Sequence, residues 1–298
     1  TEDTAFVFAL ADFGFSDVET AQLDSIAVTT LSSAGTLTLN DSAVTLDQSI
    51  SRSDIEAGNL KFTPAANANG TGYDSFKFTV NDGTADSSAS STMTIDVTAV
   101  NDLPTASDKT VTATEDTAFV FALADFGFSD VDSGAQLQSI AVTTLSSAGT
   151  LTLNDSAVTL DQSISRSDIE AGNLKFTPAA NANGTGYDSF KFTVNDGTAD
   201  SSASSTMTID VTAVNDLPTA SDKTVTATED TAFVFALADF GFSDVDSGAQ
   251  LQSIAVTTLS SKGTLAFNGS AVDEDQSINR SDIVDGKLTF TPAANANG

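Results

Sequence analysis

Residues 189–194 (SFKFTV) alternate without a break, with Phe190, Phe192 and Val194 on one side and Lys191 and Thr193 on the other. Successive side chains of a strand point to opposite faces, so this segment reads as a half-buried strand with its Phe residues inward. Residues 205–214 (STMTIDVTAV) show the same pattern, with Met207, Ile209 and Val211 inward. Pro218 follows, where a central strand cannot continue. Residues 137–145 (LQSIAVTTL) and 149–153 (GTLTL) are β-branched and partly alternating, and 118–123 (AFVFAL) is a short apolar run rich in Phe. Residues 173–177 make a further strand, ended by Pro178. Turn formers separate these runs. Asn154-Asp155 precedes residues 157–160 as a hairpin turn, and the corresponding Asn268-Gly269 best tolerates the positive φ of a type I′ turn. Residues 179–186 (AANANGTG) read as a loop, and Asn195-Asp196-Gly197 as another turn. Residues 165–172 (SRSDIEAG) differ. Ser167 followed three residues later by Glu170 is a capping-box pattern and Gly172 can close the turn, which predicts one helical turn. Short strands, frequent turns and almost no helix predict an all-β chain of antiparallel β-sandwiches.

The pattern recurs. TEDTAFVFALADFGFSDV begins at Thr1, Thr114 and Thr228, at spacings of 113 and 114 residues. The first spacing is one shorter because DVETAQL at Asp17 stands where the second copy has DVDSGAQL at Asp130. Residues 32–100 match 146–214 letter for letter, whereas the third copy drifts and its Gly298 aligns with Gly184. A solenoid unit runs to ~20–45 residues, so this period is that of a whole domain. The reading divides the chain into three modules: 1–103, with its opening strand before residue 1; 104–217, complete; and 218–298, ending before its last strands. Near-identical neighbours leave no copy a private catalytic role.

Composition narrows the chemistry. There is no Cys, hence no disulfide framework, thiolate nucleophile or zinc finger. There is no His, hence no Ser-His-Asp triad and no imidazole ligand. The 41 acids against 11 bases give a formal charge of −30, which argues against phosphate backbones and anionic membranes as partners. The 20 Phe residues and 40% hydrophobic content separate the chain from disordered acidic sequences. Residues 1–10 lack the basic start of a signal peptide, and no window has the roughly 18 apolar residues of a membrane span.

The acids gather near the expected module ends. Glu115 and Asp116 open the second module; Asp130 and Asp132 form a D-x-D; Asp196 sits in VNDG; Asn215 and Asp216 lie in the linker AVNDLP. Carboxylates and carbonyls suit hard cations such as Ca²⁺, which takes six to eight oxygens at ~2.3–2.6 Å. The remaining acids read more simply. Asp210 and Lys191 are outward strand residues, Tyr187 packs at a loop–strand junction, and Asp188 and Asp222 have no evident role.

A Glu near the first strand, then D-x-D, then D-G before the last strand, then a strand ending N-D-x-P is an order that resembles cadherin domains. SDIEAGNLKFTPAANANG, YDSFKFTVNDG and TIDVTAVNDLP resemble, more specifically, the cadherin-like, Ig-like tandem repeats of large bacterial surface adhesins of the RTX type, secreted by the type I route. The resemblance runs the length of the chain. It implies Ca²⁺ shared by consecutive modules. At the first junction the ligands would be Glu2, Asn101, Asp102, Asp130, Asp132 and Asp196; at the second, Glu115, Asn215, Asp216, Asp244 and Asp246. Asp17, Glu19, Asp82 and Glu229 occupy the same positions at the outer ends of the first and third modules. The chain departs from cadherins in the linker, where Ala213 and Leu217 replace an Asp and an Asn, in lacking D-R-E, and in Asp17-Val18-Glu19 for D-x-D. The expected role is a non-enzymatic one: an extracellular extender at a bacterial surface, with neighbouring repeats as partners and a distal domain for adhesion or biofilm formation. The alternative is that the repeats themselves bind a glycan or protein; a sugar site would usually show exposed Trp or Tyr, and the chain has no Trp and only two Tyr.

Overall fold

The computed structural model describes residues 1–19 and 21–296. Among these, strand pairing stays within 1–103, 104–217 or 218–298. In the middle module one sheet has five strands in the order Lys109–Thr114, Ser205–Thr212, Gly184–Asn195, Ser139–Thr144, Ser163–Ser165. The other has Phe119–Val120, Leu174–Thr177, Thr150–Leu153 and Ser156–Ala157. All pairs are antiparallel except the first two strands of the larger sheet, Lys109–Thr114 and Ser205–Thr212, which run parallel. The sheets form the Ig-like sandwich expected from the pattern. No described helix is long and apolar enough to cross a membrane.

Alternation places the core. Phe190 lies opposite Met207, Phe192 opposite Val142 and Val194 opposite Ile140, and all six are fully buried. Phe121 and Phe126 meet them from the segment that carries Phe119–Val120 and a short 3₁₀ turn, Leu123–Phe126. The ring pairs Phe121–Phe190 and Phe126–Phe192 are edge-to-face at 5.6 and 5.1 Å. Each buried Phe stabilises the fold by ~1.5–3 kcal/mol, and each such ring pair adds ~0.5–1.5 kcal/mol. Gly149 is required by this packing: a Cβ there would lie 2.3 Å from the Phe176 ring and 2.8 Å from the Thr177 carbonyl. Gly35 and Gly263 stand in the same relation to Phe62 and Phe290.

Local expectations meet mixed outcomes. Asn154 and Asp155 both have positive φ (51° and 59°), as do Asn268 and Gly269 (51° and 77°), the signature of the expected hairpin turn. The helical turn exists as Arg166–Glu170, but Ser167 is not its cap. Ser165 is the cap, accepting the Asp168 N–H at 3.1 Å, and Glu170 instead pairs with Arg166 at 2.8 Å. The box was displaced by two residues because Ser165-x-x-Asp168 offers the same chemistry as Ser167-x-x-Glu170. The strand Gly184–Asn195 starts within the expected loop, its register slipping between Gly184 and Asp188. Lys109–Thr114 is a strand that the pattern did not single out, since Val111 and Ala113 give it only a faint apolar signal.

Asp188 acquires a role from the fold. Its buried carboxylate accepts the N–H groups of Ser147, Ala148 and Gly149 at 2.8–3.2 Å and of Ser189 at 2.8 Å. Burial pushes its pKa up, but these four donors prevail and hold it below the usual value. Tyr187 completes the corner, donating to the Ala148 carbonyl at 2.7 Å and accepting from the Ala179 N–H at 3.1 Å.

Candidate metal centre

The acids at the module ends converge at both junctions. Carboxylate oxygens of Glu2, Asp102 and Asp132 lie within 4.8 Å of one another, and so do those of Glu115, Asp216 and Asp246. In each set one residue comes from the start of the upper module, one from the linker and one from the D-x-D of the lower module. Pairing within the sheets explains the convergence. The Glu2 N–H bonds the Thr98 carbonyl and the Glu115 N–H that of Thr212, both at 3.0 Å, which fixes each glutamate beside the end of its module's last strand. The linker leaves from that strand. The D-x-D loop then returns to it: Asp132 accepts the Asp102 N–H, and Asp246 the Asp216 N–H, each at 2.9 Å. Asp130 and Asp244 curl their own loop by accepting the N–H of Asp132 and Asp246 at 2.8 and 2.9 Å.

Backbone and amide donors hold the glutamates in place. Glu2 is 2% exposed; it accepts the Val100 N–H and, at 2.8 Å, the Asn69 amide. The Val100 N–H and then Asn69 hold its pKa below the ordinary range. Glu115, equally buried, accepts from the Val214 N–H and from Asn183 at 2.7 Å. The linker aspartates behave in the opposite way. Burial, then Asp132, Asp3, Glu2 and Asp130, push the Asp102 pKa up; burial, then Asp246, Asp116, Glu115 and Asp244, do the same to Asp216. These groups crowd like charges together, and no cationic side chain among the described residues offsets them. Two of the inaccessible oxygens, Oδ2 of Asp102 and Oδ2 of Asp130, have no hydrogen-bond partner. A hard cation satisfies both conditions at once, and an all-oxygen donor set drawn from three segments fits Ca²⁺.

The other sequence-derived positions fall as follows. Asn101 donates to Asp196 at 3.0 Å, across the first junction, and to the Asp102 carbonyl at 2.6 Å; Asn215 donates to the Asp216 carbonyl at 2.7 Å. Asp196 is otherwise tied to its own turn, accepting from Thr198 and Ala199 at 2.6 and 2.7 Å. Asp82 does the same at the far end of the first module, with Thr84 and Ala85. Asp17 accepts the Glu19 N–H at 2.6 Å. Asp17, Glu19, Asp82 and Glu229 belong to neither cluster. Glu229 is exposed where Glu2 and Glu115 are buried. Its equivalent of Asn183 is Asn297, which lies outside the described residues. Sequence reasoning placed Asp116 among the acids at the module ends but not among the ligands, and it did not single out Asp3; both belong to the crowd. Each has positive φ (56° and 57°) and accepts a loop N–H, from Asn67 at 3.0 Å and from Asn181 at 2.9 Å. In T-E-D-T such an Asp reads as a turn former. It also missed Asn69 and Asn183, whose loop looked like a plain connection.

Residues 101–212 match the family model "Bacterial Ig domain". An integrin beta-like protein E from Dictyostelium discoideum is 36% identical over 107 residues, which is 36% of this chain and 5% of that protein. Among solved structures, an endo-fucoidan hydrolase of glycoside hydrolase family 107 aligns over 97% of this chain and 37% of its own at 16% identity, with a TM-score of 0.24. Domains 4 and 5 of the S-layer protein SbsC align over 66% of this chain and 78% of their own at 12% identity and a TM-score of 0.21. Structural likenesses this distant carry no argument. The family match covers the middle module, and the same sequence extends on both sides of it: the chain is an Ig-like repeat protein.

Proposed function

We propose that the chain is a stretch of Ca²⁺-braced extender modules of a bacterial surface adhesin, holding a distal binding domain away from the cell. The observation that carries this reading is the composition of each cluster. Glu2, Asp102 and Asp132 belong to an upper module, a linker and a lower module, as do Glu115, Asp216 and Asp246. A cation bound by all three ties two modules to the segment between them. Without it, the same carboxylates repel and the linker is free to bend. Affinities of ~10⁻⁴–10⁻³ M suffice in a calcium-rich exterior. The match to bacterial Ig domains and the similarity to a protein named for integrin support an extracellular, adhesive setting. Type I secretion and biofilm formation follow from the RTX likeness of the repeats.

Small-angle scattering of the purified chain with Ca²⁺ and with EDTA tests the idea. Chelation is expected to shorten the maximum dimension and, by mass action, to lower the melting temperature. An unchanged maximum dimension would sink the bracing role.

A further inference from the structure

Each module contains an Asn-Gly pair, and the fold holds these pairs differently. Asn69-Gly70 and Asn183-Gly184 are tied down. Their side-chain amides donate to Glu2 and Glu115 at 2.8 and 2.7 Å, and Gly70 and Gly184 pair with Val97 and Val211 in the sheets. Asn268-Gly269 instead forms the two-residue turn between the strands Gly263–Phe267 and Ser270–Ala271. Both turn residues are exposed. Among the described residues, none bonds the Asn268 side-chain amide or the Gly269 N–H. A further pair, Asn297-Gly298, lies outside the described residues.

Two differences between the copies free this turn. Where the first and second copies have Asp41 and Asp155, the third has Gly269. Where they have Asn59 and Asn173, it has Lys287. In the first copy the Asn40 amide reaches Asp54 at 3.5 Å, and in the second Asn154 bonds Asp168. In the third the Lys287 ammonium takes the equivalent Asp282 at 2.9 Å, which leaves Asn268 without that acceptor.

The chemistry follows from the atoms at the turn. Gly269 has no Cβ to shield its main-chain nitrogen. Once that nitrogen gives its proton to solvent base, it can attack Cγ of Asn268. The N–Cγ bond forms, the Cγ–Nδ2 bond breaks, and ammonia leaves with a proton from water. Water then opens the cyclic succinimide at either carbonyl, giving aspartate or isoaspartate. Water enters and ammonia departs, with no oxidant or reductant. Ring closure requires Asn268 to leave its φ of 51°, a region in which a residue other than Gly is strained. Opening is also cheap, because Ser270–Ala271 is a two-residue strand at the edge of its sheet.

We propose that Asn268-Gly269 is a self-modifying turn, at which the folded chain loses ammonia and gains one further carboxylate in the third module alone. The isoaspartate product lengthens the main chain by a methylene, which the pairs Phe267–Ser270 and Ala266–Ala271 do not accommodate. Val272 is buried and its N–H donates to the Leu265 carbonyl at 2.9–3.0 Å in each copy's equivalent turn, so the loosening is confined to the hairpin tip. The reaction needs no cation and stands apart from Ca²⁺ bracing.

The test ages the full chain in mildly alkaline buffer with EDTA, folded or in urea. Peptide mass spectrometry follows the exchange of amide for carboxyl, and isoaspartyl methyltransferase labelling separates the two products. In the folded chain position 268 is expected to convert about tenfold faster than 69 or 183, the factor set by about 1.4 kcal/mol of extra opening cost at the tied pairs. In urea the three rates are expected to converge. Gly269→Asp, which installs the residue of the other two copies, is expected to stop conversion at 268. Equal rates at the three positions in the folded chain, a difference that persists in urea, or undiminished conversion in Gly269→Asp overturns the proposal. So does an Asn268 that stays intact in the folded chain while converting in urea.

Discussion

Residues 104–147 and 218–261 are identical in sequence and differ in state. Phe121 and Phe126 are 1% and 0% exposed, whereas Phe235 and Phe240 are only partly buried. Ile140 and Val142 are fully enclosed, while Ile254 and Val256 are not. Lys109–Thr114 is a strand; 223–228 is none. The difference comes from elsewhere in the module. In the middle module Gly184–Asn195 and Ser205–Thr212 lie over these residues, and the described part of the third module contains no counterpart of either strand. Identical local preference thus gives a closed core where those strands are present, and leaves Phe240, Phe242, Ile254 and Val256 along an uncovered surface where the 298-residue sequence stops ahead of their counterparts. Most of the stabilisation of these strands is non-local.

The sharpest way to break the contrast is to uncover the middle module. Phe190→Ala removes the ring that meets Phe121 and Phe192 and leaves a cavity, at an expected cost of about 3–5 kcal/mol. Hydrogen exchange should then show residues 139–144 losing protection toward the level of 253–256. Unaltered protection at 139–144 would mean that the strands are held by local bonds after all.

A smaller effect is expected at the corner that locks the covering strand in place. Asp188→Asn keeps the size and removes the charge that accepts four N–H groups; hydrogen bonds to a charged group stabilise by about 1.5–3 kcal/mol. The pH dependence carries a sign. The folded pKa of Asp188 lies below its unfolded value, so its contribution is fully present above the ordinary carboxylate pKa of about 3.9 and is lost as pH falls through the folded pKa. The variant should therefore melt earlier at neutral pH, and its deficit should narrow in strong acid. A deficit independent of pH would assign the loss to shape rather than charge. Asp74 makes the same contacts with Ser33, Ala34 and Gly35 in the first module.

How much of this was legible in the sequence depends on the range of the interaction. Alternation at Phe190, Phe192, Met207 and Ile209 revealed the inward faces because the period of two is written into the chain itself. The turn at Asn154-Asp155 was legible for the same reason. The cap was not, since two overlapping motifs, Ser165-x-x-Asp168 and Ser167-x-x-Glu170, compete within six residues. Asp188 was opaque because its donors lie about forty residues away. At the junctions, the order of acids suggested Glu2, Asp102 and Asp132 as neighbours. The part played by Asp3, Asp116, Asn69 and Asn183 came only from how the loops fold back.

The smallest expected effect concerns the two junctions, which carry the same contrast as the modules. Asp196 lies in the turn between the two covering strands, Gly184–Asn195 and Ser205–Thr212, and reaches Asn101 at 3.0 Å. The equivalent position of the third module falls past residue 298, so within these 298 residues only the first junction has this carboxylate. If the clusters bind Ca²⁺, the first junction has one more carboxylate within reach and should bind more tightly. A tenfold difference corresponds to about 1.4 kcal/mol, the scale of one weak ligand. Calorimetric titration of the chain should then resolve two classes of site, and Asp196→Asn should merge them by weakening the tighter class. Two classes that persist in Asp196→Asn would place the difference in the linkers instead, where Pro104 is buried and Pro218 is exposed.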